Sequence, residues 1–266
     1  MFDFKFKKPK TKNGYKNLLL NVKKILPKKI NSITDGVAID IFENIINFTD
    51  SKKLMIETGV GSSTIAMFLA CVYKNKKFYS FDPSDTKLSL IKNVINEAIC
   101  ENLIIKISDY WSPINSTSEN IYTGINMLKD LRGKFDFVFL DSIHSYDHIT
   151  SEIDNFLNLS SKNFVIGIDD THLNYRKYNE AMINLIRTKN NFKPVNLKNN
   201  SMSLKLEYSI YNYLKKKLNK VVKIKSKNQS SKKDKYIKYY GDIRIKPTEN
   251  SKFIKNSKAS FFIGAK

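Results

Sequence analysis

Lys53-Leu-Met-Ile-Glu57-Thr-Gly59-Val-Gly61-Ser62-Ser63-Thr64-Ile-Ala-Met-Phe-Leu-Ala70 reads as a strand, a tight turn and the start of a helix. The apolar run 54–56 has the length of a buried strand, and Ile65, Phe68 and Leu69 recur at helical spacing after it. Between them, Gly59 and Gly61 remove the side chains that would keep a ligand away from the turn backbone. The first amides of the helix, from Ser62 onward, favour an anionic or carboxylate group. A dinucleotide fingerprint would carry a third glycine three residues after the second. Thr64 stands there instead, which argues against a nicotinamide enzyme, and an acid, Glu57, precedes the first glycine by two residues.

Outward from this stretch the chain alternates. Strands are expected at 54–57, 77–81, 103–107, 135–140 and 164–168, with segments of helical length and apolar periodicity near 63–73, 86–100, 144–158 and 176–189. Such alternation implies an α/β protein with a doubly wound, mostly parallel sheet covered on both faces. Residues 192–210, with turn-forming Asn199-Asn200 and polar Ser203, Lys205 and Glu207 alternating with Leu204, Leu206 and Tyr208, read as an antiparallel hairpin closing it. Ligands of such sheets sit outside the carboxyl ends of the strands. An acid ends or closely follows every expected strand: Glu57, Asp82, Asp109, Asp141 and the pair Asp169-Asp170.

The form acid-x-Gly-x-Gly at 57–61 resembles motif I of the class I S-adenosylmethionine-dependent methyltransferases, and the strand-end acids match their Rossmann-like plan over about 37–210. The stretch Asp141-Ser-Ile-His144-Ser-Tyr146 is similar to the Asp-Gly-x-His-x-Tyr pattern of small-molecule methyltransferases, with Ser142 where glycine is usual. The stretch ending in Asp169-Asp170 resembles the fifth strand of the same families, which include catechol-type and macrolide-sugar O-methyltransferases. The resemblance implies that Glu57, Gly59, Gly61 and Ser62 belong to the cofactor turn and that Asp82 accepts hydrogen bonds from both ribose hydroxyls. A carboxylate suits a diol because it has two acceptor oxygens and no donor. The resemblance also places Asp109 near the adenine, with Tyr110 or Trp111 as a stacking partner, and Asp141 beside the cofactor. In the metal-dependent members, acids at these strand ends bind a divalent cation, which implies Asp141, Asp169 and Asp170 as ligands of Mg²⁺. All three histidines, His144, His148 and His172, fall within or beside those two strand ends. His144 is the first choice of general base and His172 the second; His148, one helical turn beyond His144, is expected to face solvent.

Charge divides the chain in three. Of a formal +21, residues 1–30 hold ten lysines against Asp3, a balance of +9, and residues 211–266 hold seventeen Lys/Arg against three acids, +14. The span 31–210 is left at −2. The expected organisation is a mobile or loosely packed basic N-terminal arm, 1–30, with one short helix near 15–26; a methyltransferase domain, 31–210; and a lysine-rich extension, 211–266, whose apolar residues suggest that it docks or pairs. The basic flanks fit RNA or an anionic surface. Yet Arg132, Arg176, Arg187 and Arg244 are the only arginines, and abundant Lys, Asn and Ile is what an A/T-rich genome encodes. Cys71 and Cys100 have no metal-ligand spacing and read as buried thiols. The start lacks the apolar core of a signal peptide and no run approaches the ~20 apolar residues of a membrane span, so a cytoplasmic protein is expected. The resulting expectation is methyl transfer from S-adenosylmethionine to a hydroxyl of a small molecule or sugar. The rivals are an RNA methyltransferase and a non-catalytic binding protein of the same fold.

Overall fold

A computed structural model describes residues 8–120, 122–143, 146–170, 238–240, 243–247 and 259–265. Two helices, α1 (Lys12–Ile25) and α2 (Asp35–Phe48), precede β1 (Leu54–Thr58). The chain continues through α3 (Ser62–Lys74), β2 (Lys77–Phe81) and α4 (Asp85–Ile95). A π-helical turn and the short α5 (Glu101–Leu103) follow, then β3 (Trp111–Ile114), a 3₁₀ helix (Ile125–Leu131), β4 (Phe135–Leu140), α6 (Tyr146–Leu159) and β5 (Ser160–Ile168). β6 (Lys238–Tyr240), β7 (Ile243–Pro247) and β8 (Ser260–Ala265) complete one sheet in the order β3-β2-β1-β4-β5-β8-β7-β6. β1 to β5 pair in parallel; β8 runs antiparallel to both β5 and β7.

Period-2 alternation divides each central strand between two apolar layers. Met55, Phe137, Phe139 and Val165 pack with α1 to α4, whereas Ile56, Val138, Leu140 and Ile166 pack with Ile149, Ile153 and Phe156 of α6 and Ile125 and Leu128 of the 3₁₀ helix. The doubly wound sheet expected from the sequence is thus present. Its strand order reverses at β1, which lies between β2 and β4, and Gly59 leaves the sheet at that switch point.

Two sequence expectations need correction. Residues 103–107 are not the third strand. The helix runs on to Leu103, Ile104 turns left-handed (φ 54°) with 93% of its surface exposed, and the strand is Trp111–Ile114. A short apolar run cannot by itself separate strand from helix end; here Trp111 decides, stacked on Phe78 (6.2 Å) with its indole N–H donated to Ser80 Oγ at 2.8 Å. β3 is an edge strand, where Pro113 is tolerated. The N-terminal helix is also more than a loose arm: Tyr15, Leu18, Leu19 and Val22 of α1 are buried in the core. Thr11 caps it by accepting from the Gly14 amide at 3.1 Å.

The hairpin expected at 192–210 and the helix at 176–189 lie outside the described residues. The antiparallel strands that are described come from the C-terminal extension, which pairs with the sheet as its apolar content suggested. Glycine and aromatic residues face each other across β5 and β8: Gly167 pairs with Phe261, and Phe164 with Gly264. A Cβ on Gly167 would meet the Phe261 ring at 2.6 Å, and one on Gly264 the Phe164 ring at 2.1 Å, so each ring lies flat over the opposite glycine. Phe261 also stacks on Phe139 (6.1 Å). Truncating this fully buried ring, Phe261→Ala, is expected to cost about 3–5 kcal/mol. Urea unfolding measures the loss, and amide exchange is expected to show it concentrated in β8 and β7.

Candidate functional site

The site begins at the turn after β1. Gly59 has φ +82°, and a Cβ there would stand 1.9 Å from the Asp141 carbonyl oxygen, so only glycine lets the turn close on the end of β4. Its amide donates to the Phe81 carbonyl (2.8 Å), and the next amide, Val60, donates to Asp82 Oδ2 (2.9 Å). The turn and the carboxylate at the end of β2 are therefore a single hydrogen-bonded unit. Asp82 Oδ1 accepts from the Ser84 amide (2.8 Å), and Lys87 Nζ lies 3.3 Å from Oδ2. Oδ1 keeps acceptor capacity, and Oδ2 regains it when the exposed Lys87 side chain swings away.

Glu57 does not face the ligand side. It is fully buried, accepting from Ser63 Oγ (2.7 Å), Thr64 Oγ1 (2.9 Å) and Ser80 Oγ (2.6 Å). Thr64 Oγ1 in turn accepts from the Gly61 amide at 3.0 Å, so the acid pins the first turn of α3 and the glycine turn to β2. The residue that excluded a dinucleotide fingerprint is thereby the one that braces this turn. Burial raises the Glu57 carboxyl to about 7, against the three hydroxyl hydrogen bonds, which lower it. An acid raised from 4.5 to about 7 keeps its proton in the folded chain over that interval while the unfolded chain loses it, so stability falls as pH rises between the two values. Glu57→Gln, which mimics the protonated form, is expected to remove that decline. The native-minus-variant difference in unfolding free energy between pH 4.5 and 8 should be on the order of 3 kcal/mol by denaturant titration.

The N-terminal segment covers the turn from the other side. The Ser62 amide donates to the Ile30 carbonyl (3.2 Å), and the Ile33 amide to Ser62 Oγ (3.4 Å). Buried Lys23 of α1 organises this cover by donating to the Ile33 carbonyl (2.8 Å) and to Asn31 Oδ1.

Asp141 ends β4 with its amide donating to the Thr58 carbonyl (2.9 Å), and Asp169 ends β5 with its amide on the Leu140 carbonyl (3.0 Å). Burial, together with the charges of Asp169, Asp170 and Glu57, pushes the Asp141 carboxyl well above the carboxylate range, with Lys87 opposing. The acids at these two strand ends do converge. Among the described residues, however, no three His, Cys, Asp or Glu side chains stand as a ligand set. The Mg²⁺ ligand set of Asp141, Asp169 and Asp170 thus stays an implication of the resemblance, and what the structure shows of these acids is the mutual repulsion that raises the Asp141 carboxyl.

Asp109 is also displaced. It sits in a 3₁₀ turn ahead of β3, at the amino edge of the sheet, because the strand begins at Trp111 and not at 103. That edge is held by the buried pair Lys76–Asp136 (2.8 Å). Trp111 belongs to the core, so neither it nor Asp109 borders Asp82. His144 and His172 lie outside the described residues. His148 does not face solvent: it is buried between Glu119 and Glu152, with Ser118 and Ser142 beside it. Of this cluster only the His148/Glu152 spacing of four on a helix could have signalled contact; Ser118 and Glu119 lie 30 and 29 residues from His148.

The switch-point turn of this Rossmann-like doubly wound sheet is thus braced by a buried acid and tied to an acid at the end of the next strand. A family model described as a methyltransferase domain matches residues 56–171. No curated protein sequence matches the chain. Solved structures resembling it include the S-adenosylhomocysteine-bound methyltransferase PaMTH1 of Podospora anserina: 19% identity, 62% of this chain and 64% of that one, TM-score 0.42. Precorrin-6y C5,15-methyltransferase of Geobacter metallireducens matches at 12% identity over 90% and 91%, TM-score 0.46. The TDP-rhamnose 3'-O-methyltransferase CalS11 matches at 10% identity over 71% and 91%, TM-score 0.43. The chain spans 46% and 64% of the length of the first two structures it matches. Among the described residues no helix is long and apolar enough to cross a membrane.

Proposed function

We propose that this chain binds S-adenosylmethionine at the carboxyl edge of β1 and β2 and transfers its methyl group to a hydroxyl oxygen of a small molecule or sugar. The observation that carries the reading is the Val60 amide bound to Asp82 Oδ2, which fixes a Cβ-free turn and a diol-accepting carboxylate in one unit. When bound, the cofactor supplies an electrophilic sulfonium methyl. The work of the chain is then positioning. Gly59 and Gly61 give the methionine end access to the turn backbone, Asp82 holds the ribose, and Asp141 borders the reacting centre. His144, three residues beyond Asp141, takes the proton from the acceptor hydroxyl, with His172 as the alternative base.

Isothermal titration of S-adenosylmethionine and S-adenosylhomocysteine into the full chain tests the cofactor half of this reading. Micromolar binding is expected. No heat with the intact protein would sink it and favour a non-catalytic protein of the same fold.

A further inference from the structure

The buried charged cluster around His148 is not used by the reading above. His148 Nδ1 lies 2.8 Å from Glu119 Oε2, and Nε2 lies 3.1 Å from Glu152 Oε1. With a carboxylate at each ring nitrogen, both nitrogens are donors and the ring is an imidazolium. Ser142 Oγ (2.7 Å) and Ser118 Oγ donate to the same Glu152 oxygen. Ser142 stands where the resembled pattern has glycine, and its hydroxyl is spent on this cluster. Nε2 offers it no lone pair, so the arrangement is a clamp and not a nucleophile with its base.

The clamp joins two elements. Glu152 is fully buried on α6, while Glu119, 48% exposed, belongs to the loop 115–124. Its described residues bond to one another: Ser116 Oγ meets Thr123 Oγ1 (2.6 Å), the Gly124 amide donates to the Asn120 carbonyl (2.8 Å), and the Ile125 amide to the Ser118 carbonyl (2.8 Å). It carries the chain from β3 towards β4, and β2 and β1 lie between those strands. The connection therefore crosses the region of the sheet whose carboxyl edge holds Asp82 and Gly59.

We propose that His148 is a positioning residue that fastens the 115–124 crossing to α6 through Glu119 and Glu152. A neutral ring has only one N–H, so one carboxylate would face a lone pair and the exposed Glu119 would leave. Among the described residues, Glu119 from the loop and Glu152 from its own helix are charged groups that face the ring, with the hydroxyls of Ser118 and Ser142 beside them. Burial alone would lower the His148 pKa, but the hydrogen bonds and charges of Glu152 and Glu119 together raise it. A group raised on folding contributes its stability fully below its unfolded value, about 6.5, and loses it as pH climbs through the folded value. The clamp is thus closed from the carboxylate range up to about 6.5 and opens as pH climbs through the raised His148 midpoint.

The test needs no cofactor, so it stands apart from the methyltransferase reading. In the full chain, the His148 ring is titrated by NMR, and amide exchange of 116–124, corrected for intrinsic rates, is followed across the same pH range, for the native protein and Glu119→Gln. The expected result is a native midpoint above 6.5 and about a tenfold loss of protection in 116–124 across it. In Glu119→Gln the midpoint moves down and protection is already reduced at pH 6. A native midpoint at or below 6.5, or protection of 116–124 indifferent to both pH and the substitution, would overturn the proposal. Glu119 is half exposed, so the variant folds; the native pH series decides alone in any case.

Discussion

Gly59→Ala is expected to unfold the site and much of the protein with it. Two costs combine at one methyl group. The first is backbone strain, because φ +82° is open to glycine and costs a residue with a Cβ about 1–2 kcal/mol. The second is steric: the new Cβ would lie 1.9 Å from the Asp141 carbonyl oxygen, a backbone atom fixed by the Asp141 amide bond to Thr58. Relief requires β1 and β4 to separate at the centre of the sheet. A loss of about 4 kcal/mol or more is expected, read as a fall in melting temperature of about 10 °C or more. Gly61→Ala is the control. Its backbone is extended (φ −179°) and its Cβ would stand 3.2 Å from the Ile30 carbonyl, so only a slight shift of the 30–33 segment is needed. A loss of under about 1 kcal/mol is expected there. Equal losses in the two variants would refute the assignment of the constraint to Gly59.

The contrast between these glycines shows what a sequence carries and what it does not. Alternating apolar strands, the Gly59 turn and Asp82 are local patterns, and the strand-end rule puts Asp82 on the same carboxyl edge as the turn. Asp109 failed for a nonlocal reason: whether 103–107 or 111–114 pairs with β2 depends on Phe78 and Ser80 receiving the Trp111 ring, 31 residues from Ser80 in the chain. The acid-x-Gly-x-Gly spacing makes Glu57 legible as part of the turn, but only its three hydroxyl partners show it bracing that turn from within. The Glu119–His148–Glu152 cluster was illegible because two elements meet there that only the β3-to-β4 crossing brings together. The strands that close the sheet beyond β5 likewise come from the tail, where Phe261 and Gly264 answer Gly167 and Phe164 by shape and not by any periodic signal.

Asp82→Ala is expected to lower affinity for S-adenosylhomocysteine at least about 100-fold while leaving a folded protein. Two charge-assisted hydrogen bonds to a ribose diol, each worth about 1.5–3 kcal/mol, are lost together, and about 1.4 kcal/mol corresponds to tenfold in binding. The same truncation frees the Val60 and Ser84 amides, which donate to this carboxylate at 2.9 and 2.8 Å, at a cost of about 1–3 kcal/mol in stability. Melting curves therefore accompany the calorimetry, run well below the variant's transition. Asp82→Asn separates the two effects, since it keeps one acceptor oxygen but turns a donor toward either Val60 or Ser84, and it is expected to bind nearly as poorly as the alanine variant. Lys87→Ala supplies the opposite sign. Its ammonium, 43% exposed, occupies Oδ2 from 3.3 Å, so its removal clears the acceptor without breaking the turn, and affinity is expected to hold or rise. Unchanged binding in Asp82→Ala would place the cofactor elsewhere. Binding lost equally in Lys87→Ala would mean that the ammonium itself holds the ligand, and the carboxylate would then be its anchor and not the acceptor for the ribose.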